Sequence, residues 1–206
     1  MLLPLVVLAA GSSSRLGHPK QLVVFEEKTL LRRAAETALG VKKTGWETPV
    51  GVVLGANADA CRRKLAGLNV TLLENPDWPE GIASSVRVAV AWAEAHCADG
   101  LLLLLCDQPF VTADLLETFL ETFEKTAQSL VASDYGDGVR GVPVLVGKRF
   151  FAELKTLHGD RGAQGLLKRY PDVVATVPFP EGRFDLDTPE ELRWLGAYSV
   201  KGGGAE

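Results

Sequence analysis

Residues 101–105 are five consecutive leucines, set between Gly100 and Cys106. A strand with one face in water alternates apolar and polar residues, whereas a strand without alternation is covered on both faces. The run therefore predicts a central parallel strand with a helical layer on each side. The rest of the chain keeps the rhythm such a strand needs. Apolar, β-rich runs at 3–9, 50–54, 70–73, 130–133, 142–146 and 173–177 alternate with helical patterns at 29–39, 58–65, 83–95, 112–125, 150–157, 163–169 and 189–196. Thr29, Thr112 and Thr188 stand where helix caps belong, Gly40 where a helix ends, and Pro189 at a first helical position. Repeated β-α-β units imply a mostly parallel sheet with helices on both faces. The expected fold is thus α/β, three-layered, with one domain over residues 1–198 and a frayed tail over 199–206.

Composition narrows the class. A chain of 206 residues buries roughly 70% of its unfolded surface, so its core needs no disulfide staples. Its three cysteines, Cys61, Cys97 and Cys106, form no CxxC pair, which argues against a disulfide framework or a structural zinc and fits a reducing compartment. The net charge of -4 argues against a nucleic-acid partner. No apolar run reaches membrane-spanning length, so no membrane partner is expected. The opening "MLLPLVVLAAGSSS" has the look of a secretion signal, yet only Met1 precedes its apolar run, where a signal carries Lys or Arg. The run is better read as a first buried strand, and the expected location is the cytoplasm.

In open α/β sheets, ligands bind beyond the carboxyl ends of the strands. The loop after the first strand reads "AGSSSRLGHPK". Gly11 lets backbone turn tightly and approach a ligand. Ser12, Ser13 and Ser14 offer hydroxyls and amides, a nest for anionic oxygens, and Arg15 and Lys20 add two cations, a combination that suits a di- or triphosphate. It is not a Walker A loop, because five residues separate Gly11 from Gly17 and "HPK" follows. Nor is it GxGxxG, because Ser13 takes the second glycine position. From these residues alone, a polar loop with solvated charges remains the alternative.

The whole stretch "LAAGSSSRLGHPKQL" resembles the signature LAAGxSxRMGxxKxL of glycosyltransferase-A-like nucleotidyltransferases, departing only at Leu16. Later segments are similar, in order, to the molybdenum cofactor cytidylyltransferase branch of the MobA-like NTP transferase family. These are "NPDWPEGIASSV", "LLLLCDQPFVT", "GVPVLVGKRFFAEL", "LHGDRGAQGLL" and "FDLDTPEEL", and the resemblance spans about residues 3–195. It implies a Rossmann-like fold with a mostly parallel mixed sheet, and Mg²⁺ as cofactor. It implies that CTP, or another NTP, gives its nucleoside monophosphate to the phosphate of molybdenum-bound molybdopterin, or another phosphate acceptor, with release of pyrophosphate. A transient contact with a molybdoenzyme or its chaperone would follow. Open alternatives are transfer to a sugar phosphate or a methylerythritol-type phosphate, a guanylyltransferase, or a nucleotide-binding module without catalysis.

The chemistry asks for charge neutralisation and alignment rather than a general base, since a phosphate nucleophile is already ionised. His18, His96 and His158 are scattered, in keeping with that. The family pattern assigns metal ligation to Asp107, after the leucine strand, and Asp187. Asp185 is a weaker ligand because strand alternation turns it away, and it is grouped instead with acceptor contacts. The plainer readings are a turn before Pro109 for Asp107 and a helix-dipole partner beside Thr188 for Asp187. Arg15 and Lys20 would hold the triphosphate and, with Asp107, form the catalytic group. Leu8, Ala9, Ala10, Gly11, Ser12, Ser13, Asn75, Gly81, Ser84 and Ser85 would contact the nucleotide. Ser84 has helix capping as its alternative. Gln108, Asp160 and Arg161 are candidate acceptor contacts, although a surface turn explains the last two equally well. Trp46, Trp78, Trp92 and Trp194 read as packing, with Trp78 alone in a candidate loop. Related guanylyltransferases carry glycine where Ala10 stands, so its methyl group narrows the space beside the base and favours a pyrimidine.

Overall fold

The structure is a computed structural model in which residues 1–13, 17–126 and 129–184 are described. In chain order the elements are β1 (Leu5–Ala9), β2 (Val24–Phe25), β3 (Lys28–Thr29), α1 (Leu30–Gly40), β4 (Val50–Leu54), α2 (Ala58–Lys64), β5 (Thr71–Glu74), α3 (Ile82–Ala95), β6 (Gly100–Leu105) and α4 (Ala113–Thr126). They continue with β7 (Leu130–Asp134), β8 (Arg140–Gly147), α5 (Phe151–Leu154), α6 (Gln164–Arg169) and β9 (Val174–Pro178). Seven strands form one sheet in the order β5-β4-β1-β6-β8-β7-β9, while β2 and β3 make a separate small hairpin.

The leucine strand is central and covered on both faces. Leu102 and Leu104 join Leu5, Val7, Leu31, Leu116 and Phe119 in one core layer. Leu101 and Leu103 join Val6, Leu8, Val86, Val90, Leu154 and Leu166 in the other. Each fully buried leucine contributes about 1.5–3 kcal/mol, so the run anchors both layers at once. Leu105 is only half-buried, because the helical cover ends there and a cavity begins.

The sheet is mostly parallel and mixed, as the resemblance implies, and the leucine strand lies where its direction changes. β6 runs parallel to β1 but antiparallel to β8. β8 returns from β7 through the turn of "DYGDG" and inserts between β6 and β7, and β7 pairs parallel with β9 on its other edge. Burial on both faces is a statement about layers, and an inserted hairpin strand satisfies it as well as a crossover does.

Most element boundaries agree with the sequence reading. The Thr29 side chain accepts from Arg32 N–H at the start of α1, and Thr112 Oγ1 accepts from Leu115 N–H at 3.2 Å. Gly40 is the last helical residue rather than the stop beyond it, and the helix closes with Val41 N–H on the Ala38 carbonyl. The helix expected over 150–157 is cut to a 3₁₀ turn, Lys148–Phe150, and the single turn of α5. Its continuation tightens, with Thr156 N–H on Glu153 O and Leu157 N–H on Leu154 O, and the Thr156 hydroxyl also bonds Glu153 O at 2.8 Å. The helix expected over 189–196, its Thr188 cap, Trp194 and the tail lie outside the described residues. Among the described residues no helix is long and apolar enough to cross a membrane. The three cysteines are free, with Cys61 and Cys106 buried and Cys97 exposed.

Candidate active site

The chain leaves β1 at the carboxyl edge of the sheet and passes from Ala10 into the polar loop. Ala10 O accepts from Ala56 N–H at 3.0 Å, which holds the loop base against the segment after β4. The approach is close: a Cβ on Gly55 would lie 2.7 Å from Ala10 O and 2.8 Å from Ala10 Cβ. The expectation of a tight turn at Gly11 is not met. A Cβ there would meet nothing within 4 Å, and the left-handed backbone falls instead on Ser13, at φ 57°, and Gly17, at φ 70°. What remains for Gly11 is exposed backbone beside the cavity, open to a ligand.

A residue that the motif contained but that received no role organises this loop. Gln21 is buried, and its amide donates to Ala9 O at 3.1 Å and Gly11 O at 2.6 Å. Its Oε1 accepts from the Ser13 hydroxyl at 3.3 Å, and Ser13 Oγ in turn accepts from Lys20 N–H at 3.0 Å. Two ends of the loop are thereby tied across its mouth. The polar "K-Q" before an apolar run was the available signal: a glutamine among buried residues needs partners, and loop carbonyls supply them. Ser13 is spent on this internal bond and does not line the cavity, whereas Leu8, Ala9, Ala10, Gly11 and Ser12 do. Arg15 lies outside the described residues.

Lys20 emerges from a 3₁₀ turn, Lys20–Leu22, and its ammonium pairs with the Asp107 carboxylate across the cavity. Asp107 follows β6 directly, and its side chain is only 5% exposed. A carboxylate so deep persists because a cation meets it, since breaking a buried pair strands a charge in low dielectric. Cys106 lines the cavity beside it, and burial pushes its thiol pKa upward, so it is no nucleophile at neutral pH.

The opposite wall is built after β5. Asn75 is buried, and its amide donates to Ser84 Oγ at 2.8 Å and Ser85 Oγ at 3.0 Å, while its Oδ1 accepts from Asp77 N–H at 3.1 Å. Asn75 thus sits behind the cavity wall rather than in it. Ser84 does not cap α3. It lies inside the first turn and donates to Gly81 O at 2.8 Å, and Gly81 itself is the cap. Ser85 and Gly81 reach the cavity, with Trp78, Pro79 and Ile82 beside them. Gly81 is at φ 116°, and a Cβ there would stand 2.6 Å from both Asp160 Oδ1 and the Gly159 carbonyl. Only glycine allows these two loops to touch.

That contact brings in the "GDRG" loop. Ala83 N–H donates to Gly159 O at 3.0 Å. Arg87 donates to Glu80 Oε1 at 2.8 Å and Leu157 O at 2.7 Å, and Gly159 N–H donates to Glu80. The Arg87 hydrogen bonds hold the Glu80 carboxyl down at about 2. Asp160 lines the cavity, while Arg161 is exposed and does not line it. Gln108 also departs from its expected acceptor role. It turns away from Asp107, and its amide donates to Tyr135 Oη at 2.9 Å, Val142 O at 3.0 Å and Gly182 O at 3.3 Å. Asp185 and Asp187 lie outside the described residues.

The result is a cavity of about 370 Å³ with an apolar side formed by Leu8, Ile82 and Leu105, an amide-and-hydroxyl rim, and one Lys–Asp pair at its base. Among the described residues no three His, Cys, Asp or Glu side chains converge on a metal position. The donor set fits Mg²⁺ nonetheless, because that ion is commonly bound by one or two carboxylates with phosphates and waters completing the shell. Asp107 is already a cation site, held by the Lys20 ammonium.

A three-layer α/β domain with such a cavity at the carboxyl edge of its sheet, beside an LAAG loop, is of the NTP transferase class. Residues 5–174 match the model of the MobA-like NTP transferase domain. The chain belongs to this family and is a nucleotidyltransferase of the MobA-like kind. It is 31% identical to a protein named nicotine blue oxidoreductase from Paenarthrobacter nicotinovorans, over 91% of this chain and 93% of that one. It is 28% identical to the molybdenum cofactor cytidylyltransferase of Escherichia coli, over 91% and 92% of the two chains. With a molybdenum cofactor guanylyltransferase of Vibrio campbellii it shares 29% identity over 93% of each. The crystal structure of Rv0371c from Mycobacterium tuberculosis in complex with manganese superposes with a TM-score of 0.75 at 27% identity, covering 94% of this chain and 97% of that one.

Proposed function

We propose that this protein transfers CMP from CTP to the terminal phosphate of molybdenum-bound molybdopterin. An acceptor phosphate oxygen attacks the α-phosphorus, a new P–O–P bridge forms, the α–β anhydride breaks, and pyrophosphate leaves with the electron pair. The observation that carries the reading is the Lys20–Asp107 pair at the base of the cavity. A cation and a carboxylate placed together serve a reaction whose transition state spreads negative charge over phosphate oxygens. Lys20, with Arg15, neutralises the triphosphate and the departing pyrophosphate. Asp107, with Asp187, holds Mg²⁺ when it is bound, and the ion supplies further neutralisation of phosphate charge. Because Lys20 and the ion compete for Asp107, Lys20 leaves the carboxylate for the phosphates as the nucleotide enters.

The cytosine preference rests on Ala10, whose Cβ packs toward Gly55 and whose side bounds the cavity. A methyl group there leaves less room for a purine than glycine would. The test is a matrix of CTP, GTP, ATP and UTP against molybdopterin, a hexose 1-phosphate and methylerythritol 4-phosphate, read as pyrophosphate released. CTP with molybdopterin gives the highest turnover on this reading. Preference for GTP overturns the base assignment, and preference for a sugar phosphate overturns the acceptor. A parallel arm with NADH or NADPH and a quinonoid dye tests the oxidoreductase chemistry in one relative's name. Acceptor-dependent nicotinamide oxidation without pyrophosphate release overturns the transferase reading.

A further inference from the structure

The turn of the small β2–β3 hairpin is made of residues that such a turn disfavours. Phe25 pairs with Lys28, so Glu26 and Glu27 alone make the reversal, and both stand in left-handed backbone, at φ 47° and 66°. A two-residue turn with both φ angles positive favours Asn-Gly, because a longer side chain meets a steric penalty there. Strained backbone of this kind persists where its surroundings over-determine it, and it gathers at functional sites. Glu26 shows what holds it. Its carboxylate accepts from Arg33 Nη1 at 2.5 Å, whereas Glu27 forms no ion pair among the described residues.

Arg33 stands on α1 and reaches three groups at once. Its Nε donates to Pro109 O at 3.0 Å, its Nη1 meets Glu26, and its guanidinium carbon lies 5.0 Å from the centroid of the Phe25 ring. Phe25 packs edge-on against Phe110, with ring centroids 6.5 Å apart. Pro109 and Phe110 are the second and third residues after Asp107. Lys20, in turn, opens the segment that enters the hairpin at Val24. The segments that carry Lys20 and Asp107 therefore meet twice: inside the cavity through that pair, and outside it at Arg33. Arg33 itself does not line the cavity.

We propose that Arg33, fixed by Glu26, is a positioning residue for Asp107. The Glu26 side chain is 48% exposed, and ion pairs so exposed contribute little to stability. Stability alone therefore does not explain a strained turn. What the pair fixes is the plane of the guanidinium, whose rigid fork holds two acceptors in a set geometry where a flexible ammonium does not. Pro109 O is thereby held, in a stretch where proline supplies no N–H of its own. The loop after β6 keeps its course, and Asp107 keeps its aim into the cavity. Misplacing a reacting group by about 1 Å costs up to about a hundredfold in rate, even when the change lies away from the chemistry. For turnover this rests on the transferase reading, whereas the hold on the Asp107 loop is read without turnover.

The test compares the full wild-type chain with Arg33→Met, Glu26→Asn and Glu27→Asn. Asparagine suits left-handed backbone, so both turn variants relax the turn and remove one charge, but only Glu26→Asn breaks the pair. Glu26→Asn is expected to keep or raise the melting temperature while kcat falls about fivefold and KM for CTP stays within about twofold of wild type. Arg33→Met keeps the apolar stem over Phe25 and removes both donors, and kcat falls about tenfold. In both variants Mn²⁺ binds more weakly, titrated by electron paramagnetic resonance. In both, hydrogen exchange also quickens at the Val111 amide, which bonds Gln108 O at 3.3 Å. Glu27→Asn leaves all three readouts at wild-type values. The assignment is overturned if Glu26→Asn keeps wild-type kcat, Mn²⁺ affinity and Val111 exchange, or if Glu27→Asn loses as much as Glu26→Asn. It is overturned too if kcat falls only in proportion to the melting temperature, as a plain structural brace predicts. Should the wild type release no pyrophosphate, the transferase reading fails, and Mn²⁺ affinity and Val111 exchange decide the positioning role by themselves.

Discussion

The carboxyl edge of the sheet divides at the end of β6. On the β1 side, Asp107 faces a cavity and meets Lys20 there. On the β8 side, its neighbour Gln108 faces protein and joins Tyr135, Val142 and Gly182. Both residues are buried, and they are adjacent in the chain. The difference lies in what surrounds them. The β1 side is bounded by parallel strands whose crossovers leave loops standing apart at the edge, so a polar side chain there opens on a ligand space. On the β8 side Tyr135, Val142 and Gly182 close around the side chain, so a polar group there is consumed by a hydroxyl and two backbone carbonyls. Gln108 keeps one blemish in this role, since its Oε1 is buried without a partner among the described residues.

The comparison is broken or sharpened by substitution on each side. Asp107→Asn is expected to lower kcat about a hundredfold or more with the fold intact, the scale of removing one preorganised electrostatic group. Turnover of CTP with acceptor measures it, and near wild-type kcat would remove Asp107 from the chemistry. Lys20→Ala should keep the fold and lose at least about tenfold in kcat, about 1.4 kcal/mol of barrier, checked by the same assay alongside circular dichroism. Gln108→Leu is expected to show the opposite profile, with about 1–3 kcal/mol lost in urea unfolding and CTP affinity unchanged. A stable variant with impaired CTP binding would erase the division drawn at β6.

Two further predictions probe the seam between the loops. Gly81→Ala places a Cβ against the Gly159 carbonyl in left-handed backbone, and about 1–3 kcal/mol of stability should be lost, read as a lowered melting temperature. The smallest effect concerns acid. The Glu80 pKa is depressed from its ordinary 4.5 to about 2 by Arg87, so the brace on the Gly159 loop is complete above 4.5 and is lost as pH falls toward 2. The Gly159 amide resonance, followed by NMR, should titrate within that window. A resonance that moves only near pH 4.5 would show that the brace does not form in solution.

The layers were legible in the sequence because hydrophobic patterning is a local record of burial. Five unbroken leucines announce a strand covered twice, and Thr29 and Thr112 announce their helices by the backbone amides they satisfy. The loop motif and Asp107 were legible because each directly follows an apolar strand, where ligands gather in such sheets, and because both stand in segments that carry the resemblance. Pairing direction was not. Whether β6 meets β8 parallel or antiparallel leaves the same leucines equally buried, so composition carries no trace of it. Nor could patterning tell Asp107 from Gln108, or show that Ser84 braces from inside the helix, because both outcomes depend on which remote backbone arrives nearby. Gln21 was present in the motif, and only the folded loop showed it to be the tether.

By itself the sequence determined that this protein is a three-layer α/β domain with a polar, glycine- and serine-bearing loop after its first strand, since burial periodicity and turn chemistry act over a few residues. Tertiary structure alone decided that Lys20 meets Asp107 across 87 positions of chain, and that Gly81 lies against the Gly159 loop. Those are contacts between segments far apart in the chain, and they exist only once the sheet order has been chosen.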